Sequence, residues 1–230
     1  SALIPGIIAG SVLFFGASLQ QAGLAYTTAG KAAFITGLYI VLVPLLGVFL
    51  KQRIGLNTWL GVVLAVSGLY FLSVNEDFTI AFGDLLEIIG AFFWAVHILV
   101  IDHFTKKVDA LKLSCVQFVM CSVLSIITAF IFEDISISGI GQAAIPILYG
   151  GLLSVGVAYT LQVVAQKHAK PSHAAIILSM ESVFAALGGA LLLGENLGGR
   201  GYLGCALMFA GMLLTQVNIF DKRQSQEYKA

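Results

Sequence analysis

LQQAGLAYTTAGKAAFITGLYIVLVPLLGVFL, from Leu19 to Leu50, returns 142 residues later as LQVVAQKHAKPSHAAIILSMESVFAALGGALL, from Leu161 to Leu192. Gln20 matches Gln162, Ala32-Ala33 matches Ala174-Ala175, and Gly47 matches Gly189. One inserted residue lengthens the offset to 143, at which Gly61 matches Gly204 and Gly68 matches Gly211. A repeat this long is the mark of a duplicated architecture, so the first question is what kind of unit has been duplicated.

Composition answers it. Of the residues, 59% are hydrophobic and 10% charged, and the mean hydropathy is +0.97. Soluble domains carry about a quarter charged residues, so there is too little polar surface here to cover a globule. A net charge of zero excludes a nucleic-acid partner, and the chain shows no metal-ligand spacing or phosphate loop; no cofactor is expected. Cys115, Cys121 and Cys205 all lie in apolar runs and read as small packing residues. Runs long enough to cross about 30 Å of hydrocarbon cover Leu3–Ala25, Ala29–Leu50, Leu56–Val74, Asp84–Phe104, Leu111–Phe132, Ile145–Gln166, Ser172–Leu193 and Tyr202–Phe220. Eight membrane helices are therefore predicted. Pro5, Pro146 and Pro171 sit at or just before helix starts, and Asp84 with Glu87 reads as a capping box.

Basic residues set the orientation. With the C-terminus cytoplasmic, the inner loops and tail hold Lys51, Arg53, Lys106, Lys107, Lys112, Lys167, Lys170, Lys222, Arg223 and Lys229, and the outer loops only Lys31 and Arg200. The outer side instead carries Glu76, Asp77, Glu133, Asp134 and Glu195. A multi-pass protein of the cell (inner) membrane with its C-terminus inside is expected.

The first helix matches the sixth, the second the seventh and the third the eighth. Equivalent helices are five apart, an odd number, so they cross the membrane in opposite senses. This is an inverted repeat, the plan in which two pseudo-symmetric halves rock about a midplane site. The helices at 84–104 and 111–132 have no partners in the first repeat, so two helices are expected before Ser1, roughly 60 to 75 residues by helix-plus-loop length. A natural eight-helix chain is the alternative. The organisation expected is an all-α, ten-helix (5+5) fold: 1–75 the remainder of the first repeat, 80–220 the second repeat, and 221–230 a cytoplasmic tail.

Three segments carry a family resemblance. Tyr26 to Phe34 (YTTAGKAAF), Gly83-Asp84-Leu85-Leu86 with Phe93-Trp94-Ala95, and Met180-Glu181-Ser182-Val183-Phe184 with Leu193-Gly194-Glu195 resemble the EamA-type drug/metabolite transporters. The similarity covers essentially the whole chain. It implies ten helices in two inverted five-helix repeats and export or exchange of metabolites, nucleotide sugars or drugs. In that family a proline commonly follows the ninth-helix glutamate; Ser182 stands here instead.

Glu181 is the first candidate for chemistry, near mid-bilayer, where an ionised carboxylate costs about 2.5–3.5 kcal/mol unless paired, hydrated or protonated. It reads either as a proton- or amine-binding carboxylate or as a neutral acid fixing helix contacts. His97, on a face with Glu87, Gly90 and Trp94, lies at similar depth and reads either as a second proton carrier or as a satisfied core histidine. Tyr159, Gln162 and Gln166 form a polar stripe, answered on the first helix by Ser11, Ser18, Gln20 and Gln21. Cavity lining and interhelical hydrogen bonding are the competing readings. Tyr39 occupies the repeat position of Glu181, so the halves differ most where a site is expected. Pro44 frees the carbonyl of Ile40 and is either a gate or a tolerated membrane proline. The substrate-binding set expected is thus Glu181, Tyr39, His97, Trp94, Tyr159, Gln162, Gln20 and Gln21, with Glu181 and His97 as proton-coupling candidates, Pro44 for gating, and no metal.

Gly61, Gly68, Gly204 and Gly211 allow close helix approach and mark either scaffold or a homodimer face through the helices at 56–74 or 202–220. Trp59 and Tyr202 correspond as interfacial anchors. A rhomboid-like protease would want Gly-x-Ser-Gly, but Leu19 follows Ser18, and aspartyl chemistry would want paired deep acids. A secondary transporter of small metabolites is the expected function, with a non-coupled pore or scaffold as the alternative and an enzyme disfavoured.

Overall fold

A computed structural model describes residues 2–27, 29–52, 54–73, 82–133, 136–192 and 198–216. The expected tail at 221–230, the boundary between the repeats, and Arg53, Asp134 and Glu195 lie outside them. Among the described residues there is helix and turn but no strand. In hydrocarbon every backbone N–H and C=O must be paired, which a helix achieves within its own segment. The helices are α1 (Leu3–Leu24), α2 (Ala29–Gly37), α3 (Tyr39–Phe49), α4 (Leu56–Ser73), α5 (Phe82–Thr105), α6 (Ala110–Phe132), α7 (Ile137–Gln142), α8 (Ala144–Leu148), α9 (Thr160–Gln166), α10 (Pro171–Leu178), α11 (Met180–Leu192) and α12 (Gly198–Gln216). A π-helix over Tyr149–Tyr159 joins α8 to α9.

The described part of each expected span is mostly helix, but fewer meet the length and composition of a crossing. Leu3–Leu24, Ala32–Phe49, Phe82–Thr105, Ala110–Phe132 and Ala144–Gln166 are long and apolar enough, and Leu56–Leu72 is a shorter apolar helix. Among the described residues the count supported this way is five rather than eight. The shortfall has local causes: α10 and α11 are separate short helices, and α12 opens on Gly-Gly-Arg-Gly.

Two rods are interrupted at nearly matched places. The expected helix 29–50 breaks at Leu38, and its counterpart breaks at Ser179, the repeat position of Gly37. At the first break the Leu38 N–H bonds the Ile35 carbonyl (3.1 Å) and the Val41 N–H bonds the Leu38 carbonyl (2.9 Å), both three residues back. At the second the Ser182 N–H bonds the Ser179 carbonyl (3.1 Å), while Ser179 Oγ donates back to the Ile176 carbonyl (2.7 Å). Such tightened turns inside a helix mark hinges or strain. Pro44 follows the first break within α3. The second has no proline, and the serine back-bond takes its place.

α4 packs along α12, and their glycines show how. A β-carbon on Gly61 would lie 2.8 Å from the Gly211 carbonyl oxygen, and one on Gly68 would lie 2.5 Å from that of Gly204. Residue numbers rise on one helix as they fall on the other, so the pair is antiparallel. The two contacts also exchange under the repeat, because Gly61 corresponds to Gly204 and Gly68 to Gly211. The glycine faces are therefore spent inside the molecule as scaffold. The outward faces carry Leu60, Val63 and Tyr70 on α4, and Tyr202, Phe209 and Leu213 on α12.

α1 runs between α5 and α6. Gly6 and Gly10 bring its backbone against Val116 and Gln117 of α6, and Gly23 leaves room for the Glu87 side chain. Asp84 and Glu87 are not a capping box. The helix already includes Phe82, and both acids are buried in its side: Thr27 Oγ1 donates to Asp84 Oδ1 (2.5 Å) and Thr36 Oγ1 to Glu87 Oε2 (2.6 Å). The cysteines also diverge from expectation, with Cys205 buried, Cys121 half-buried and Cys115 exposed. Along the rod 144–166 only Val163 and Gln166 are buried.

Candidate functional site

The two interrupted helices place Tyr39 and Glu181 just beyond their breaks, at matched positions. Both line one cleft of about 110 Å³ whose other walls are Gln20, Thr36, Trp94, Ile98, Tyr159, Gln162 and Leu178. Three repeat-matched pairs meet there: Gln20 with Gln162, Thr36 with Leu178, and Tyr39 with Glu181. The cleft is thus lined by the same positions of both sequence repeats. Two pairs have lost their likeness, and the loss makes the site acidic on one side.

The π-helix ends on Tyr159, and the α-helical turn after it puts Gln162 on the same face three residues later. From α5, Trp94 Nε1 donates to Gln20 Oε1 (3.2 Å), tying the indole to α1. The Trp94 and Tyr159 rings sit 6.1 Å apart at 38°. Behind this aromatic pair is a second groove of about 480 Å³, lined by Trp94, Tyr159, Leu13, Phe118, Cys121, Ser122, Ser125 and Ser154 among others. The aromatic pair is thus a wall shared by a small polar cleft and a larger, mostly apolar groove.

Of the eight expected site residues, the fold brings six together: Glu181, Tyr39, Trp94, Tyr159, Gln162 and Gln20. His97 and Gln21 are not among them. His97 is fully buried, with Nε2 3.1 Å from Gln117 Oε1 on α6. It is absent from the cleft lining and pairs with α6 instead, an arrangement that spacing along α5 does not disclose. Gln21 is exposed on α1, one residue around the helix from Gln20. Pro44 is buried within α3 and does not line the cleft.

Thr36 lines the cleft and is not among the residues expected there, and it donates to Glu87. Thr36 stands three residues before Tyr39, so helical spacing from Tyr39 was the available signal. Glu87 is fully buried directly behind it, with Oε1 unpartnered. The His97–Gln117 pair tests whether buried polarity here is structural. Gln117→Ala strands the imidazole in an apolar interface and is expected to lower stability by about 1–3 kcal/mol. Thermal unfolding in detergent measures this; an unchanged unfolding temperature would remove the pair from the fold's support.

The cleft offers one carboxylate, two amides, two phenols, a hydroxyl and an indole, with no cationic side chain in its lining. Such a set holds neutral polar or positively charged groups by hydrogen bonds and charge. Among the described residues no group of three His, Cys, Asp or Glu could hold a metal ion.

The EamA-like transporter family model matches residues 1–74 and 81–217. The chain belongs to this family. An Archaeoglobus fulgidus protein named "Uncharacterized transporter" is 33% identical over 224 residues, covering 93% of this chain and 69% of that protein. "Uncharacterized transporter YoaV" of Bacillus subtilis is 24% identical, over 88% of this chain and 71% of its own. A solved crystal structure superposes with a TM-score of 0.82 at 19% identity, covering 97% of this chain and 79% of that one; this likeness concerns the fold alone. The EamA-family assignment and the apolar helices make this a multi-pass membrane transporter, consistent with the drug/metabolite transporter superfamily.

Proposed function

We propose that this EamA-family protein is a secondary transporter that exports or exchanges a small polar or amphipathic solute by alternating access. The observation that carries the reading is the meeting of repeat-matched pairs around one cleft. In inverted-repeat transporters the substrate lies near the midplane between the halves, beside helices interrupted there. Here both interruptions adjoin the pair that differs most, Tyr39 and Glu181. The polar head of a solute binds Glu181, the tyrosines and the glutamines, and an apolar portion extends past Trp94 and Tyr159 into the groove.

The halves in this reading are 1–75 and 80–220, related by an axis between α4 and α12, and the exchanging glycine contacts support it. The unmatched α5 and α6 give the second half two helices more than the first, so the arrangement inferred is five plus five. The basic links at 50–55, 105–110 and 167–171 support a cytoplasmic position for that end of the bundle and for the C-terminus. Any homodimer uses the outward faces of α4 or α12.

Counterflow in proteoliposomes tests the mechanism. A carrier preloaded with unlabelled solute takes up label transiently above equilibrium and saturates. A panel of amino acids, amines and amphipathic drugs identifies the solute class. A linear, non-saturating flux without counterflow would replace the carrier by a pore.

A further inference from the structure

A further cavity lies away from the cleft. It measures about 500 Å³ and is walled by the α3–α4 link, the first turn of α4, the end of α5, and the α9–α10 link with the start of α10. Its charge is one-sided. Lys106, Lys167 and Lys170 line it together with His168 and His173. The one acid in the wall, Asp102, is already engaged, with Lys106 Nζ 2.8 Å from Oδ1 and 3.0 Å from Oδ2.

The start of α10 has been left open toward this space. Lys170 is its N-cap and contributes no side-chain cap, and Pro171 occupies the first helical position. The N–H groups of a first turn have no intrahelical partner and carry the positive end of the helix dipole. Ser172 follows, and it is the independent sign of a ligand: the residue is 3% exposed, it lines the cavity, and its Oγ has no hydrogen-bond partner. A buried hydroxyl without a partner costs free energy, and one placed beside an uncapped helix start and lysines fits an acceptor from outside the chain. Across the cavity His173 Nε2 lies 3.4 Å from Thr58 Oγ1, so the far wall is polar as well.

We propose that this vestibule is an oxyanion site, built for a phosphate or carboxylate group held by Ser172 Oγ, the first-turn amides of α10, and Lys167. Its chemistry is opposite to that of the cleft, which is acidic. The two are consecutive along the same helices: Ile98 and Leu178 line the cleft, while Asp102 and His173 line the vestibule. Four or five residues at 1.5 Å rise separate them by about 6–8 Å along each axis. The vestibule is an anteroom of the cleft, and its occupant is the acidic group of a solute or the phosphodiester of an anionic lipid. Only this role rests on the transport reading; the binding itself does not.

The test uses the complete protein in phosphatidylcholine nanodiscs, titrated calorimetrically with inorganic phosphate. Saturable binding is expected. Ser172→Ala and, separately, the exposed Lys167→Gln should each weaken it about tenfold, the loss expected for one hydrogen bond to a charged group. Lys167→Gln guards against a folding defect in the serine variant. In nanodiscs containing phosphatidylglycerol, a lipid occupant competes and abolishes the phosphate signal, whereas a solute site keeps it. No binding in phosphatidylcholine, or binding indifferent to both substitutions, overturns the proposal. Loss of transport in a cleft variant with phosphate binding intact would leave the vestibule standing.

Discussion

Glu181→Ala is expected to lower saturable solute uptake in proteoliposomes on the order of a hundredfold, the scale for removing one charged partner from a buried recognition site. The residue combines three properties that no other cleft member shares. It is the one acid in the lining, it is open to the cleft rather than bonded into the wall, and it stands just past a helix interruption. Glu181→Gln separates charge from hydrogen bonding. A cationic solute group loses as much in the glutamine variant as in alanine, whereas a neutral donor keeps most of its affinity. Tyr39→Phe, at the matched position, removes one hydroxyl and should cost about tenfold or less. Wild-type rates in Glu181→Ala would remove the cleft from the transport cycle.

Gly68→Ala should cause the largest loss of stability of any single methyl addition on α4. Its β-carbon would sit 2.5 Å from the Gly204 carbonyl oxygen and 2.7 Å from the Met208 nitrogen, both backbone atoms of the facing helix. Backbone does not rotate away as a side chain does, so α4 and α12 must separate. Overpacking of this kind costs about 1–3 kcal/mol or more. Gly204→Ala meets the reciprocal contact, 2.6 Å from the Gly68 oxygen, and should cost a similar amount. Gly188→Ala has the opposite expectation. Nothing lies within 4 Å of its added carbon, and alanine favours helix by about 1 kcal/mol, so unfolding should be unchanged or later. Equal unfolding temperatures for all three variants would mean that α4 and α12 do not pack through their glycines.

The candidate site was legible wherever the repeat and helical spacing spoke together. Gln20 and Gln162, Tyr39 and Glu181, and Tyr159 three residues before Gln162 were all named on those grounds, and they share a cleft. His97 lies outside the cleft lining, as its core-histidine reading has it, because polarity at the right depth does not say which group the side chain will pair with; here it is Gln117 of α6. Gln21 lies outside it too, being one residue, or 100° of helix, away from Gln20. Asp84 and Glu87 matched a capping pattern by spacing, but partners in Thr27 and Thr36 make them buried contacts. The breaks at Leu38 and Ser179 left little trace, since a proline is present in one half and a serine back-bond replaces it in the other.

Hydrophobicity, repeat offset and basic-residue placement required only the sequence, because each is a property of the chain against its solvent. They determined an all-helical membrane protein with a duplicated plan, while the segments at 26–34, 83–95 and 180–195 carried its resemblance to the EamA transporters. Which faces meet was decided by tertiary structure alone. In a bilayer the apolar side chains gain nothing by leaving lipid for protein, so hydropathy does not distinguish a helix's inward face from its outward one. Close backbone approach at Gly61, Gly68, Gly204 and Gly211 makes that choice, and it brings the matched residues to one cleft and leaves the lysines around another.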